Sequence, residues 1–281
     1  MPYRAKLIVT PEQAALWLQQ NTRNRRLMDT VWYKYALDML EGRWKYSGDA
    51  IRFDSNGVLL DGQHRLRACV EAKVPFDTDV IFGLTPETME VIDIGRSRTA
   101  ANIAGLKGLP APNNVCAVVK LILIHRKHGI QALVNPYKHP TKTEIVPAAI
   151  ELSTDARFIE SLVMGRRARR YINITAGSFC YYVFSEHSPD SAMMFWDDLV
   201  SGSGLTKESP VYWLRERLIA NVQSKSKLPP IEILAIAFKA FKAYHEDRPL
   251  KKLRWRNRGE TPEDFPVLVD PTAKTRGGKT A

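Results

Sequence analysis

The sequence predicts an α+β protein in which a small sheet is followed by helices. In residues 1–110, short alternations of apolar and polar residues, typical of strands, occur between stretches of helical spacing. Beyond residue 110 the apolar residues recur almost only at helical spacing, and Pro, Gly and Ser separate these stretches. We therefore expect a mixed domain over 1–110, a helical domain over 111–258 and an extended or disordered tail over 259–281.

Two helices precede the predicted hairpin. The first is expected to start at Thr10, a favourable N-cap residue, with Pro11 at the first helical position. The second covers residues 27–41, where apolar residues recur at helical spacing, and Gly42 is expected to end it.

The stretch IRFDSNGVLL, residues 51–60, predicts a β-hairpin. Asn56 and Gly57 form the dipeptide that a two-residue type I′ turn prefers. The next helix is expected to begin after Asp61 and Gly62, and FDTDVIF then alternates like a strand.

Helical patterns fill most of the remaining chain. One segment begins at Thr85 and Pro86 and runs into DIGRSRTAANIAG. Further helices are predicted at about 113–128, 143–153, 155–170, 176–186, 190–200, 210–222 and 230–246.

The formal net charge is +11, and most of it lies after residue 110. Residues 1–110 carry 15 of the 41 basic and 13 of the 30 acidic residues, which leaves 26 basic and 17 acidic residues in the remainder. Such an excess favours binding to a polyanion such as a nucleic acid. An ordinary solvated basic surface is the alternative.

The composition also bears on location and metals. No stretch is apolar enough to cross a bilayer, and the N-terminus lacks the apolar region of an export signal, so we expect a soluble cytoplasmic protein. Cys69, Cys116 and Cys180 are far apart within apolar helical patterns, which predicts core residues rather than disulfides. His125 and His128 have no further ligand at zinc spacing.

The segment DGQHR, residues 61–65, places positive charge where a helix normally prefers negative charge. The first N–H groups of a helix are unpaired, and its dipole is positive at that end. His64 and Arg65 fall in this first turn. A bound phosphate would compensate them: Gly62 would let it approach the backbone, Arg65 could hold it with a planar fork and His64 could donate a hydrogen bond or a proton. A merely solvated helix start is the alternative.

The order of elements around DGQHR resembles the ParB/sulfiredoxin superfamily. A strand, the Asp61–Gly62 turn, GQHR, a helix containing LRA and another strand follow one another. In that superfamily the turn reads Gly-Glu-Arg-Arg in the chromosome-segregation CTPases and Gly-x-His-Arg in sulfiredoxin and the free-serine kinases. The spelling DGQHR is similar to a branch found in DNA-modification systems and phage proteins. The resemblance covers about residues 5–105 and implies that Gly62, Gln63, His64 and Arg65 bind the phosphates of ATP or CTP.

Two further segments are nucleotide-binding candidates. The resemblance places NTRNRRL where the superfamily has an Asn-Pro-x-x-x-Arg segment, and it implies nucleotide contacts from Asn24 and Arg25, although the proline is missing. In DIGRSRT, Arg96 and Arg98 lie beside a glycine before a helical run and form a second candidate phosphate clamp. Pairing of these arginines with nearby acids is the alternative.

The catalytic candidates are His64, Asp61 and Glu41. Phosphoryl transfer needs positioning and electrostatic stabilisation, usually with Mg²⁺ and a carboxylate that orients the nucleophile. Asp61 and Glu41 are the carboxylates nearest in sequence to the expected pocket, and Asp61 is also the candidate Mg²⁺ ligand. The kinase branch uses a glutamate as base, which neither Glu12 nor Glu41 matches securely. Asp61 could equally be a simple helix cap.

Two basic patches in the helical region are candidates for binding DNA or RNA. GRRARRY and LKKLRWRNR each combine basic residues with an aromatic residue, so that Tyr171 or Trp255 could stack on a base. A core position is the alternative for Trp255. The candidate nucleic-acid contacts are Arg166, Arg167, Arg169, Arg170, Lys251, Lys252, Arg254 and Arg256.

Three function classes remain open at this point. The first is a ParB-like NTPase that acts with DNA in a DNA-modification, defence or phage context. The second is a kinase on the same fold that transfers a phosphate to a small molecule or nucleic acid. The third is a DNA-binding regulator without nucleotide chemistry. A membrane partner is not expected, and a homodimer stays open.

Overall fold

The chain folds into two compact units, and each is described by itself. The structure, a computed structural model, describes residues 1–24, 26–90, 99–256 and 263–268. The first unit comprises Met1–Thr99 and Thr141–Glu144. The second comprises Ala100–Pro140 and the described residues from Ile145 onward.

A four-stranded mixed sheet forms the first unit's scaffold, and the described residues contain eleven α-helices in all, which confirms the α+β class. The strands are β1 (Tyr3–Val9), β2 (Ile51–Asp54), β3 (Leu59–Asp61) and β4 (Phe76–Leu84). Their order in the sheet is β1-β4-β2-β3. β4 pairs antiparallel with β1 and parallel with β2, whereas β2 and β3 form an antiparallel hairpin.

Three helices accompany this sheet, namely α1 (Pro11–Leu18), α2 (Asp29–Leu40) and α3 (Gln63–Ala72). The Thr10 side chain accepts a hydrogen bond from the Gln13 N–H at the start of α1, as its sequence predicts. Leu66 of α3 and Ile51 of β2 are fully buried in the unit's core. Burial of these apolar faces fixes α3, and with it the DGQHR segment, against the sheet.

The hairpin forms as predicted, but the predicted type I′ turn is wrong. That turn requires positive φ at both central residues, and of Asn56 and Gly57 only the glycine has it, with φ +81°. Asp54 decides the geometry, because its Oδ1 accepts hydrogen bonds of 2.8 Å from the N–H groups of both Asn56 and Val58. A side chain that binds backbone N–H groups in this way selects a longer loop.

The described residues of the second unit contain helices and no strands. They are α4 (Ala100–Leu106), α5 (Pro112–His128), α6 (Lys142–Leu152, with its first residues in the first unit), α7 (Ala156–Arg167), α8 (Ile174–His187), α9 (Pro189–Ser201), α10 (Pro210–Gln223) and α11 (Pro230–His245). Ten of the 14 residues of α8 and ten of the 16 residues of α11 are buried. The three cysteines are buried and free, as expected.

Helices α7 and α8 approach each other closely through two glycines. A Cβ on Gly165 would lie 2.1 Å from Ser178 Oγ and 2.7 Å from its backbone nitrogen. A Cβ on Gly177 would lie 3.3 Å from the Gly165 Cα. Because neither glycine carries a side chain, the two backbones can pack at a distance that no other residue allows.

Besides the hairpin turn, the structure departs from the sequence-based expectations in three places. Strand β1 was not predicted. Where an α-helix was predicted from Thr85, the described residues Pro86–Glu90 form a 3₁₀ helix; the next described helix, α4, begins at Ala100, and residues 91–98 of the predicted segment lie outside the described residues. Most of the expected tail lies outside the described residues, but Phe265 packs its ring against Phe238. None of the described helices is long and apolar enough to cross a membrane.

Candidate functional site

The segment DGQHR begins α3 as predicted, with Gly62 as its N-cap. Gly62 has φ +104°, and no side chain caps the helix. A Cβ at this position would lie 2.2 Å from Ile51 Cδ1, so the turn needs glycine for both its backbone conformation and its close contact with β2. The first turn of α3 contains no acidic residue. Residues 61–65 are called the Gly62 turn below.

Arg65 is engaged inside the protein. Its guanidinium donates hydrogen bonds to the backbone carbonyls of Asp49 and Ala50, the latter at 2.8 Å, and lies 3.4 Å from Asp61 Oδ2. Only 13% of its side chain is exposed. Burial lowers the pKa of Arg65, and the carboxylates of Asp61 and Asp49 oppose this effect. Internal acceptors therefore compensate the charge for which the sequence predicted a bound anion.

Asp61 does not fit the role of a Mg²⁺ ligand. Its Oδ2 lies 2.5 Å from Arg52 NH1 and is also within reach of Arg65. Two guanidinium groups already neutralise this single carboxylate and would repel a dication. No group of three or more His, Cys, Asp or Glu that could hold a metal ion occurs among the described residues.

The segment upstream of α2 is hydrogen-bonded to the Gly62 turn. Asn24 Nδ2 donates to the Leu59 carbonyl at 2.6 Å, and Asn21 Nδ2 donates to Gln63 Oε1 at 2.9 Å. These bonds hold the loop before α2 beside the end of β3 and the start of α3. The nucleotide contact that the resemblance implies for Asn24 stays a prediction; in the structure the Asn24 amide donates to Leu59, two residues before the Gly62 turn, and to Asn21.

His64 connects the Gly62 turn to the start of α2. The Met28 N–H donates a hydrogen bond of 3.0 Å to His64 Nε2. Because Nε2 accepts this bond, the ring proton lies on Nδ1.

The structure does not bring Glu41 to the Gly62 turn. Glu41 follows the last residue of α2, whereas Met28, which contacts His64, precedes the first. The 12 residues of α2 span about 18 Å, so the two ends are far apart. Glu41 forms an ion pair with Arg43 instead. As a catalytic partner of His64, Glu41 is therefore a wrong prediction. The other nucleotide-binding candidates Arg25, Arg96 and Arg98 lie outside the described residues.

A second basic site lies between α7 and α8, at residues 168–173, called the arginine turn below. Ala168 and Ile172 are buried and anchor it to the core. Arg169 and Arg170 are exposed, and within the described part of the chain their side chains form no hydrogen bond or ion pair. In contrast, Arg167 of α7 forms an ion pair of 2.8 Å with Asp197.

Two cavities adjoin the arginine turn. The first, of about 600 Å³, is lined by Asn114, Arg169, Arg170, Asn173, Ile174 and Thr175. The second, of about 320 Å³, is lined by Arg170, Tyr171, Arg215, Ile219, Val222 and Gln223. Arg170 lines both. The sequence gave no signal for Asn114 or Arg215, because separate helices, α5 and α10, carry them to the turn.

The second predicted basic patch is divided between core and surface. Lys251, Lys252, Arg254 and Arg256 are exposed. Trp255 is only 7% exposed, and its indole N–H donates to the Asp264 carbonyl at 3.0 Å. Trp255 is thus a core residue and cannot stack on a base.

Comparisons of the chain with protein-family models, with curated proteins and with solved structures find no match. The function must therefore be argued from the two basic sites themselves.

Proposed function

We propose that this protein is a ParB-like nucleotide-binding protein, an NTPase for ATP or CTP that acts together with DNA. The observation that carries this proposal is the hydrogen bonding of the loop before α2 to the Gly62 turn. These are the two segments to which the sequence resemblance assigns nucleotide contacts. They are far apart in sequence and meet at the start of α3.

The electrostatics of this helix start agree with an anionic ligand. A glycine N-cap leaves the first N–H groups without a side-chain acceptor, and the first turn has no carboxylate to balance the helix dipole. A phosphate placed there would receive backbone hydrogen bonds and the positive end of the dipole.

The residues of the turn have different roles in this proposal. His64 is the side chain that would donate to a phosphate oxygen whose charge grows during transfer. Arg65 is a positioning residue, since it fixes the backbone of residues 49–50 against α3. Asn24 holds the loop that closes one side of the site.

A panel of nucleoside triphosphates tests the proposal, with thermal shift as the first measurement and product analysis with and without DNA as the second. We expect ATP or CTP to raise the melting temperature and free phosphate to be released. Transfer of the phosphate to an acceptor would instead support a kinase. The absence of any shift with every nucleotide would overturn the proposal and favour a DNA-binding regulator.

His64→Ala tests whether the Gly62 turn is the site. We expect kcat to fall more than KM rises, because an interaction that strengthens in the transition state affects mainly the rate. His128→Ala in the second unit is the matched control and should leave both constants unchanged. Equal behaviour of the two variants would remove the Gly62 turn from the mechanism.

A further inference from the structure

The first cavity beside the arginine turn has the chemistry of a phosphate site. It lies where α5 and α8 both begin, since Asn114 is in the first turn of α5 and Asn173 caps α8. The positive ends of two helix dipoles thus face the same cavity as Arg169 and Arg170. Among the described residues that line it, none is acidic.

The two arginines at this cavity are available to a ligand. Both are exposed, and their side chains have no partner within the described part of the chain. A guanidinium group without an internal acceptor can donate two parallel hydrogen bonds to the oxygens of a phosphate.

The second cavity has the chemistry of a base site. The Arg215 guanidinium lies over the Tyr171 ring, 4.4 Å from its centre. Arg215 NH1 is held by the Leu199 carbonyl at 2.6 Å, so the stacked pair is fixed in place. Ile219 and Val222 add apolar surface. Nucleobases stack on aromatic rings and on arginine planes, and Gln223 can hydrogen-bond to a base edge.

Arg170 lines both cavities, so the two cavities are adjacent. We infer that together they bind one nucleotide unit of a single-stranded nucleic acid. Its phosphate would lie at Arg169 and Arg170, and its base would lie beside Tyr171 and Arg215. A single strand is required because the faces of bases in a duplex are already stacked. The inference deepens the nucleic-acid part of the proposed function, on which it rests.

Fluorescence anisotropy with short labelled strands tests this site. The single-stranded ligands are oligo-dT and oligo-U. A DNA duplex and an abasic strand of equal charge serve as comparisons. Each ligand is titrated at about 50 and 200 mM salt. We expect a single strand to bind about tenfold more tightly than the abasic strand, because stacking adds to the phosphate contacts. The tighter binding of oligo-dT or of oligo-U identifies DNA or RNA as the ligand. Equal binding of the normal and abasic strands would overturn the base site.

Arg170→Glu and Arg166→Glu form a matched pair for the phosphate site. They change the charge equally, but only Arg170 lines the cavities. We expect Arg170→Glu to weaken strand binding about tenfold and to lower the salt slope, and Arg166→Glu to weaken it less than about threefold. Equal losses would mean a diffuse basic surface and would overturn the inference.

Val222→Asp and Val163→Asp form the matched pair for the base site. Both valines are 51% exposed, and only Val222 lines the second cavity. We expect Val222→Asp to weaken binding of the normal strand but not of the abasic strand, with Val163→Asp leaving both unchanged. Loss of binding to both strands in Val222→Asp would contradict the assignment.

Nucleotide binding measured on the same variants separates this inference from the proposed function. Arg170→Glu should still respond to ATP or CTP as the wild type does. If no nucleotide binds but the Arg170 and Arg166 variants still differ in strand binding, the proposed NTPase fails and the strand site stands. If nucleotides bind and no strand does, the strand site fails.

Discussion

The Gly62 turn and the arginine turn look alike in sequence and differ in what they do with their charge. GQHRLR (residues 62–67) overlaps the first turn and GRRARR (residues 165–170) overlaps the second, and both place arginines a few residues after a glycine near a helix end. Arg65 is buried and donates to two backbone carbonyls, whereas Arg170 is exposed and lines two cavities. One arginine holds the fold together, and the other is available to a ligand.

A cluster of arginines therefore does not by itself mark a binding site. A buried guanidinium is stable only where acceptors compensate its desolvation, and Arg65 finds them in Asp61 and in a backbone segment 15 residues earlier. An exposed guanidinium needs no such partner, because water solvates it. The hydrogen-bond acceptors around a guanidinium group therefore show whether it is free to bind a ligand. The burial of the arginine side chain is a better indicator of such acceptors than its charge is.

The largest expected effect comes from Gly165→Ala, which would break the arginine turn while leaving the Gly62 turn intact. The new Cβ would meet backbone atoms of α8 at 2.7 and 2.8 Å, so the helices must separate. We expect a loss of about 3 kcal/mol in the free energy of unfolding of the second unit, measured by chemical denaturation. Strand binding should fall with it, and nucleotide binding should not.

Gly105→Ala is the control for this prediction. Gly105 is also helical, but its added Cβ would make only ordinary contacts, at 3.4 Å or more, with Pro112. Alanine should therefore be neutral or stabilise α4 by up to about 1 kcal/mol. A Gly165→Ala protein as stable as Gly105→Ala would show that α7 and α8 do not need their close approach.

The second prediction compares the two arginines directly. Arg65→Ala should destabilise the protein by about 2–4 kcal/mol, because the Ala50 carbonyl loses the donor that Arg65 provides and Asp61 loses one of its partners, while the Asp49 carbonyl keeps only Thr78 Oγ1 as a side-chain donor. Arg170→Ala should change stability by less than about 0.5 kcal/mol and should weaken strand binding. Urea denaturation gives the stability of each variant, and fluorescence anisotropy gives the affinity of each variant for the single strand.

This result would correct what the sequence suggests for Arg65. From the helical pattern alone, Arg65 lies away from the apolar stripe of α3, which predicts that its removal leaves the fold intact. If Arg65→Ala and Arg170→Ala are similarly stable, Arg65 has no structural role and is again a candidate for direct phosphate binding.

The sequence was sufficient where the physical cause is local. The start of α1 at Thr10 and Pro11, the start of α3 after Gly62 and all the long helices of the second unit follow from caps, glycines and helical spacing. The hairpin was predicted for the same reason. Its turn type was not, because the Asp54 side chain overrides the preference of Asn56 and Gly57.

What could not be predicted depends on distant parts of the chain. β1 is an edge strand with Leu7 and Ile8 both exposed, so it lacks the alternation that marks a half-buried strand. The carbonyl acceptors of Arg65 are backbone atoms, which carry no sequence signal. The two cavities exist only once several helices have packed around the arginine turn.

The smallest expected effect concerns His125, a third basic side chain. It tests the rule that a buried cation needs hydrogen-bond acceptors. Its ring contacts Phe179 and Phe238, and its Nδ1 is buried without a hydrogen-bond partner. Burial lowers the pKa of His125; Arg126 lowers it further, while Glu186 raises it. Unlike Arg65, His125 can lose its proton, and it is therefore expected to be neutral in the folded protein.

A lowered pKa of His125 has a definite sign in the pH dependence of stability. Below the ordinary histidine pKa of about 6.5 the unfolded chain binds a proton that the folded chain does not, so stability falls as the pH decreases through that range toward the folded pKa. His125→Phe keeps an aromatic ring and removes this titration. We expect the difference in unfolding free energy between about pH 7.5 and 5.5, measured by urea denaturation, to be smaller in His125→Phe than in the wild type. His128→Phe on the same helix controls for loss of a histidine as such, and parallel pH profiles for the wild type and His125→Phe would contradict the argument that burial without an acceptor keeps His125 neutral.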